Sequence, residues 1–109
     1  MTIGRNVQIG IALPQIFPDG RVDMALAREF VDRAETLGYH SLWVQEQVLG
    51  ATSVLDPLSI LSYVAALTSN IRLGVSVLVL PFHGPLQLAK RISSVDQLSQ
   101  GRLVVGLGL

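Results

Sequence analysis

The chain has 109 residues, half of them apolar and 15% charged, with a formal net charge of zero. This composition suits one packed domain and argues against disorder. Eight acidic and eight basic residues are spread without a block of either sign, which gives no surface suited to nucleic acid or an anionic membrane. Cysteine is absent, so disulfides and thiolate metal sites are excluded.

The apolar runs of the chain are short. The longest, Val75–Pro81, is far too short to cross a bilayer. The run Val7–Leu13 fits a strand better than the apolar core of a signal peptide. We therefore expect a cytoplasmic protein with no membrane partner.

Four apolar runs recur at a nearly constant spacing. They begin at Val7, Ser41, Ile71 and Arg102, about 30 to 34 residues apart, with helical spacing between them. The order βαβαβαβ predicts an α/β fold with parallel strands. Because a TIM (β/α)₈ barrel spends roughly 31 residues on each unit, we predict that residues 1–109 are the N-terminal half of such a barrel, truncated after strand four. The same units also suit an open doubly wound sheet, and their spacing leaves both folds open.

The first half of the chain is predicted to hold two strands and one helix. The first strand is Val7–Leu13, and Asp23 is the expected N-cap of the helix that follows. Gly38 suits the left-handed position that ends this helix, and the second strand is Ser41–Gln45. One helical stripe is expected to face the core: Leu26, Phe30, Ala34 and Leu37.

In the second half, Asp56 and Pro57 open a helix, because Asp caps it and Pro is tolerated at its first position. The other predicted elements are a third strand Ile71–Leu80, a third helix from Gly84-Pro85 to Gly101, and a fourth strand Leu103–Leu107. The positions expected to face the core are Leu58, Leu61, Val64, Ala65 and Leu67 in the second helix, and Leu88, Ile92, Val95 and Leu98 in the third.

Alternation along the strands predicts a bulky face that packs on the helices and a small face that points into the barrel. Small inward residues near the carboxyl ends would leave room for a large flat ligand. The alternative is that Trp43 and long side chains from further strands fill this space. The small face is Gln8, Gly10, Ala12, Gly74, Ser76, Leu78, Val104, Gly106 and Gly108; the bulky face is Val7, Ile9, Ile11, Leu13, Leu73, Val75, Val77, Val79, Leu103, Val105 and Leu107.

Polar side chains gather where the second strand ends. Parity turns Gln45 and Gln47 inward, and Glu46 falls just past the strand, at the end where barrel enzymes hold their catalytic groups. Glu46 is a candidate base or ligand contact. The alternative, which the residues by themselves favour, is a carboxylate that caps a backbone N–H or faces water.

The two histidines lie at opposite ends of the predicted strands. His40 precedes the second strand, away from the candidate site, and is expected to be structural. His83 follows the third strand on the functional side, where it is either a ligand contact or, as we favour, an ordinary helix-entry residue. No spacing among His, Asp and Glu predicts a metal site.

Four segments carry a family resemblance: Gly38–Glu46, Asp56–Leu58, Asn70–Pro81 and Ala89–Gly108. They are similar to segments of the bacterial-luciferase-like superfamily, and the resemblance runs through nearly all of the chain, in the right order and spacing. That superfamily includes the luciferase-like monooxygenases and the coenzyme F420-dependent reductases and dehydrogenases. The resemblance implies a TIM barrel that binds FMN or F420 at its C-terminal mouth.

The resemblance also implies roles for particular residues. Ser76 and Val77 match a bulge with a non-proline cis peptide under the isoalloxazine ring, and Gly108 matches a position beside it. Glu46 matches an acid that contacts the deazaflavin or the substrate. Gln47 matches a position that is commonly a catalytic or ligand-contacting His. Because an amide cannot shuttle a proton near neutral pH, this departure argues against a mechanism that depends on that His.

The resemblance predicts part of an oxidoreductase that acts on a small-molecule substrate, by hydride transfer or by flavin-peroxide oxygen insertion. F420 is slightly favoured over FMN, and the fragment alone is expected to be inactive. The competing hypothesis is a non-catalytic half-barrel that serves as an assembly module. Its open sheet edges would favour pairing with a second copy, so a homo-oligomer is an expected partner.

Overall fold

The structure, a computed structural model, describes the backbone of residues 2–3 together with residues 7–17 and 19–109. Within them lie eight strands, three α-helices and a short 3₁₀ turn. In chain order these are β1 Thr2–Ile3, β2 Val7–Gln8, β3 Gly10–Ala12, β4 Ile16–Phe17, α1 Met24–Thr36, β5 Ser41–Val44, β6 Ser53–Val54, α2 Pro57–Leu67, β7 Arg72–Val79, the 3₁₀ turn Leu80–Phe82, α3 Pro85–Leu98 and β8 Leu103–Gly108.

The centre of the fold is a parallel four-stranded sheet with the order β3-β5-β7-β8. Neighbours in the sheet are therefore neighbours in sequence, each joined to the next by one helix. A doubly wound sheet reverses its strand order at a switch point, whereas a barrel does not. The sequential order therefore favours the predicted barrel arrangement over the doubly wound alternative.

All three helices pack on the same face of this sheet. One core cluster joins Val31 and Ala34 of α1 and Leu88 of α3 to the fully buried Leu42 and Leu73 of the sheet. α2 adds Leu58, Leu61 and Val64 to the same cluster. The opposite face carries no helix among the described residues, so it is the face available to a ligand.

The predicted helical stripes were partly wrong. Leu26 and Leu37 of the first helix are 50% and 56% exposed, and Leu98 of the third is 63% exposed. In α1 the buried residues are Ala27, Val31 and Ala34, of which Ala34 was predicted. At about 100° per residue, Leu26 and Leu37 lie on nearly the same side of α1, roughly 100° around the axis from the centre of the buried stripe.

The predicted helix boundaries agree with the capping geometry. Asp23 and Asp56 accept backbone N–H groups three residues ahead, at 3.0 and 2.9 Å. Gly38 has φ +80° and closes a Schellman motif with Tyr39. At the end of α3 the corresponding left-handed position belongs to Gln100, with φ +57°, one residue before the predicted Gly101.

The first predicted strand, Val7–Leu13, is divided. Val7–Gln8 pairs antiparallel with β1, and Gly10–Ala12 joins the central sheet. Val7 is exposed rather than packed on the helices. Three strands were missed: β1, and the pair β4 and β6, which are antiparallel to each other. Strands of two residues carry too few positions to show a period, so sequence alternation could not reveal them.

The amino end of the sheet is closed by two charged side chains. The Glu35 carboxylate accepts the N–H groups of Ser69, Asn70 and Ile71 at 2.8–3.1 Å. Partial burial raises the pKa of Glu35, but these three hydrogen bonds and the charge of Arg102 outweigh that effect and lower it below the ordinary value of 4.5.

Arg102 is the second of these side chains. Its guanidinium donates to the carbonyls of Ser99, Ile71, Ala65 and Thr68 and to the Thr68 hydroxyl, at 2.7–3.1 Å. It therefore ties the end of α2, the start of β7 and the end of α3 together.

In the part of the chain described, no helix is long and apolar enough to cross a membrane.

Candidate functional site

The expected vacant slot on the small face is largely filled by side chains of the same face. The Trp43 indole lies across the neighbouring strands, and a Cβ placed on Gly10 or Gly74 would collide with it. Trp43 Nε1 donates to the buried Ser41 hydroxyl at 2.7 Å. These two glycines therefore accommodate an aromatic ring of the protein. The alternative in which Trp43 fills the space is confirmed beside Gly10 and Gly74.

Val77 fills the equivalent space near β8. A Cβ on Gly108 would lie 2.6 Å from Val77 Cγ2, and one on Gly106 would lie 3.3 Å from Cγ1. Val77 is 38% exposed, whereas Leu78 is fully buried in the helix-facing core. The prediction that Val77 faces the helices and Leu78 the interior was therefore wrong.

The reversal has a local cause in β7. Its register with β8 shifts between Val75 and Leu78, so the alternation read from the sequence changes sign there. The Ser76–Val77 peptide bond is cis, which confirms that part of the resemblance. Ser76 and Val77 both present exposed side chains to the open face of the sheet.

Above Trp43, toward the carboxyl ends of the strands, lies a groove of about 430 Å³. Its lining is mostly apolar, with the amides of Gln15 and Gln45 and the hydroxyl of Ser76 as its polar side chains. An apolar groove with a few polar groups suits a small organic ligand. The lining residues are Ala12, Leu13, Pro14, Gln15, Ile16, Trp43, Val44, Gln45 and Ser76.

Gln15 holds the rim of this groove. Its amide nitrogen donates to the carbonyls of Gln45 and Leu55, and its oxygen accepts the Gln45 N–H at 2.9 Å. The buried side chain thus joins three segments at the carboxyl end. Sequence analysis missed Gln15, because a polar residue in a loop between prolines gives no periodic signal.

Glu46 lies at the same end of the sheet and is paired with His83. Both carboxylate oxygens contact His83 Nε2, at 2.8 and 2.9 Å, and Oε1 also accepts the Val79 N–H at 2.7 Å. The prediction that Glu46 caps a backbone N–H is confirmed. His83, for which we favoured an ordinary helix-entry role, instead makes a specific contact with the candidate acid.

The other polar candidates lie apart from this pair. Gln47 is exposed, and its amide folds against Gly50 in its own loop. His40 lies at the amino end of β5, with Nδ1 3.3 Å from the Ser41 hydroxyl, as expected of a structural residue. Among the described residues, no group of three His, Asp or Glu side chains could hold a metal ion.

Comparison with known proteins gives one family. The family model described as luciferase-like monooxygenase matches residues 8–109. Limonene 1,2-monooxygenase from Rhodococcus erythropolis is 33% identical over 81 residues, which cover 73% of this chain and 21% of that protein. The chain therefore spans about a fifth of the length of this relative.

Solved structures share the fold. The oxygenating constituent of 3,6-diketocamphane monooxygenase from Pseudomonas putida, in complex with FMN, matches 93% of this chain and 29% of its own, with a TM-score of 0.80 at 24% identity. The coenzyme F420-dependent tetrahydromethanopterin reductase from Methanopyrus kandleri matches 95% and 27%, with a TM-score of 0.74 at 23% identity. These neighbours are TIM-barrel enzymes, which confirms the predicted fold class.

Proposed function

Because the chain belongs to the luciferase-like monooxygenase family, we propose that it forms part of the FMN- or F420-binding site of an oxidoreductase. The reaction is hydride transfer or oxygen insertion on a small organic substrate. Residues 1–109 supply the N-terminal half of the barrel domain in this proposal. The FMN complex and the F420-dependent reductase among the structural neighbours support these two cofactors.

The observation that carries the proposal is the groove above Trp43, which adjoins the register shift in β7. Ser76 and Val77 present side chains to the open face beside it, and Gly108 lies under Val77 without a side chain of its own. A flat, mostly apolar ring fits such a surface. In the proposed site Ser76, Val77 and Gly108 hold the ring.

When bound, the cofactor supplies the electron chemistry. The residues of this chain bind and orient it, and they exclude water from one side of the ring. Glu46 supports the end of β7 through the Val79 N–H. Gln47 offers an exposed amide at the same end, suited to hydrogen bonding with a ligand and unsuited to proton transfer near neutral pH.

Calorimetric titration of the protein with FMN and with F420 tests the proposal. We expect saturable binding of one of them, and the preference for F420 fails if FMN binds tightly and F420 does not bind. Ser76→Phe should abolish binding, because it places a ring in the groove. Ser94→Phe is the matched control, since Ser94 is exposed on α3.

The two variants separate a blocked groove from general damage. Binding that survives Ser76→Phe, or that Ser94→Phe removes equally, contradicts the proposed location. Absence of binding by both cofactors in the unmodified protein contradicts the function itself and favours the assembly-module hypothesis.

A further inference from the structure

A buried acid and a buried imidazole lie together at the carboxyl end of the sheet. The side chains of Glu46 and His83 are 3% and 9% exposed. Burying such groups is costly unless they are paired, and apolar residues of similar size would often serve stability as well. Barrel folds carry their functional groups at this end. The pair is therefore a candidate for function beyond packing.

The contact restricts which tautomer a neutral imidazole ring adopts here. An ionised carboxylate accepts hydrogen bonds and donates none, so its contact with Nε2 places the ring hydrogen on that atom. In the neutral ring, Nδ1 then carries a lone pair and accepts a hydrogen bond. No hydrogen bond to Nδ1 occurs among residues 7–17 and 19–109, where every fully buried polar side-chain atom has a partner. Nδ1 is therefore not fully buried, and it has no partner in this part of the chain.

Glu46 also connects this ring to β7, the strand that carries Ser76 and Val77. Its Oε1 accepts the Val79 N–H at 2.7 Å, three residues beyond Ser76. Val79 pairs with Gly108 across the sheet. One carboxylate thus fixes both the imidazole and the end of the strand that carries Ser76 and Val77.

We propose that His83 is a ligand-contacting residue whose Nδ1 accepts a hydrogen bond from a hydroxyl or N–H group of the bound molecule. Glu46 is the positioning residue that holds the ring in the Nε2–H form. The inference rests on the proposed function. The imidazole of the proposed site is then supplied by His83, in the segment after β7. The residue that follows Glu46 is Gln47, which has no imidazole.

The direct test is ¹⁵N NMR of the histidine rings in the unmodified protein, with FMN and F420 as probes. We expect His83 in the Nε2–H form. Saturation with whichever probe binds should shift its Nδ1 resonance, while that of His40 at the far end of the sheet stays constant. A hydrogen on Nδ1 in the free protein, or an unchanged His83 resonance in the saturated protein, overturns the proposal.

Variants test the two roles separately. His83→Gln should weaken probe binding roughly five- to tenfold, the effect of one lost hydrogen bond. Glu46→Gln should leave His83 as a mixture of tautomers, a change that a purely structural role would not produce. His40→Gln is the control and should bind as the unmodified protein does. Equal binding by the His83 and His40 variants contradicts the proposal.

Calorimetry on the unmodified protein, performed first, separates cofactor binding from the role of His83. If neither FMN nor F420 binds, the proposed function fails and this inference fails with it. If a probe binds and the His83 resonance does not respond, the function stands and the His83 assignment is wrong.

Discussion

Two carboxylates hold opposite ends of the same strand, and their surroundings differ. Glu35, at the start of β7, accepts three consecutive backbone N–H groups beside Arg102. Glu46, at the end of β7, accepts one backbone N–H and pairs with an imidazole. At the amino end, the charged side chains of Glu35 and Arg102 satisfy backbone N–H and carbonyl groups. At the carboxyl end, His83 Nδ1 has no hydrogen-bond partner among the described residues.

The contrast agrees with the general asymmetry of βα barrels, in which one end serves stability and the other binding. It teaches that a charged residue is better judged by its partners than by its burial. Arg102 is half-buried and the Glu46–His83 pair is buried. Each guanidinium nitrogen of Arg102 has a carbonyl or hydroxyl partner, whereas His83 Nδ1 has none among the described residues. Substitutions at the two ends should therefore affect different measurements.

The largest expected effect is on stability at the amino end. Arg102→Ala removes hydrogen bonds to four carbonyls and one hydroxyl, and we expect a loss of about 3 kcal/mol in the free energy of unfolding. Urea denaturation measures it. Arg91→Ala, which breaks the exposed ion pair with Asp56, should cost less than about 1 kcal/mol. Equal losses of unfolding free energy in the two variants would refute the role of Arg102 in holding α2, β7 and α3 together.

The next largest expected effect on stability is at Gly74, between the two ends of the sheet. Gly74→Ala introduces a Cβ into the space of the Trp43 ring, and overpacking of this kind costs about 1–3 kcal/mol. The emission spectrum of Trp43 should shift as the indole moves. Gly84→Ala meets no atom closer than 3.5 Å and is the control. An unchanged Trp43 spectrum in the Gly74 variant would show that the ring does not lie over this glycine.

Glu35→Gln should cost about 1 kcal/mol near neutral pH, because charge-assisted hydrogen bonds to three N–H groups are weakened. The lowered pKa of Glu35 fixes the sign of the pH dependence. The stabilising contribution is complete above the ordinary value and is lost as pH falls through the lowered value. Denaturation of both proteins across acidic pH should show their difference vanish at low pH. A difference that grows on acidification contradicts this.

The smallest effect is a gain. Gln100 holds the left-handed position after α3 with φ +57°, which a glycine adopts without steric cost. Gln100→Gly should raise the free energy of unfolding by about 0.5–1 kcal/mol. Ligand affinity, measured in parallel, should stay the same, because this position is at the amino end. A loss of stability would mean that the Gln100 side chain makes a contact of greater value.

Much of the fold could be predicted from the sequence. The repeat of apolar runs gave the four parallel strands, and Asp23, Gly38 and Asp56 gave helix boundaries through local capping chemistry. These features depend on neighbours along the chain. The faces of α1 and of β7 beyond Val75 were mispredicted, because the buried side of a helix and the register of a strand are set by packing between elements.

The candidate site was predicted in part. Its place at the carboxyl ends follows from strand direction, and Glu46 was identified from its position after the second strand. Its partner His83 is 37 residues away along the chain, and the hydrogen bonds of Gln15 reach up to 40 residues along it. Such contacts leave no periodic trace in a single sequence. Gly10 and Gly74 were recognised as small inward-facing positions. Trp43, which fills the space beside them, was given only as the alternative.

The central claim is that Trp43 forms the floor of the groove in which the cofactor binds. Trp43 is the single tryptophan of the chain, so its fluorescence reports on this groove directly. Titration with FMN or F420 should quench the emission, with saturation at the same concentration as the calorimetric heat. Free N-acetyltryptophanamide corrects for light absorbed by the cofactor. Calorimetric binding without quenching beyond that control would contradict the account.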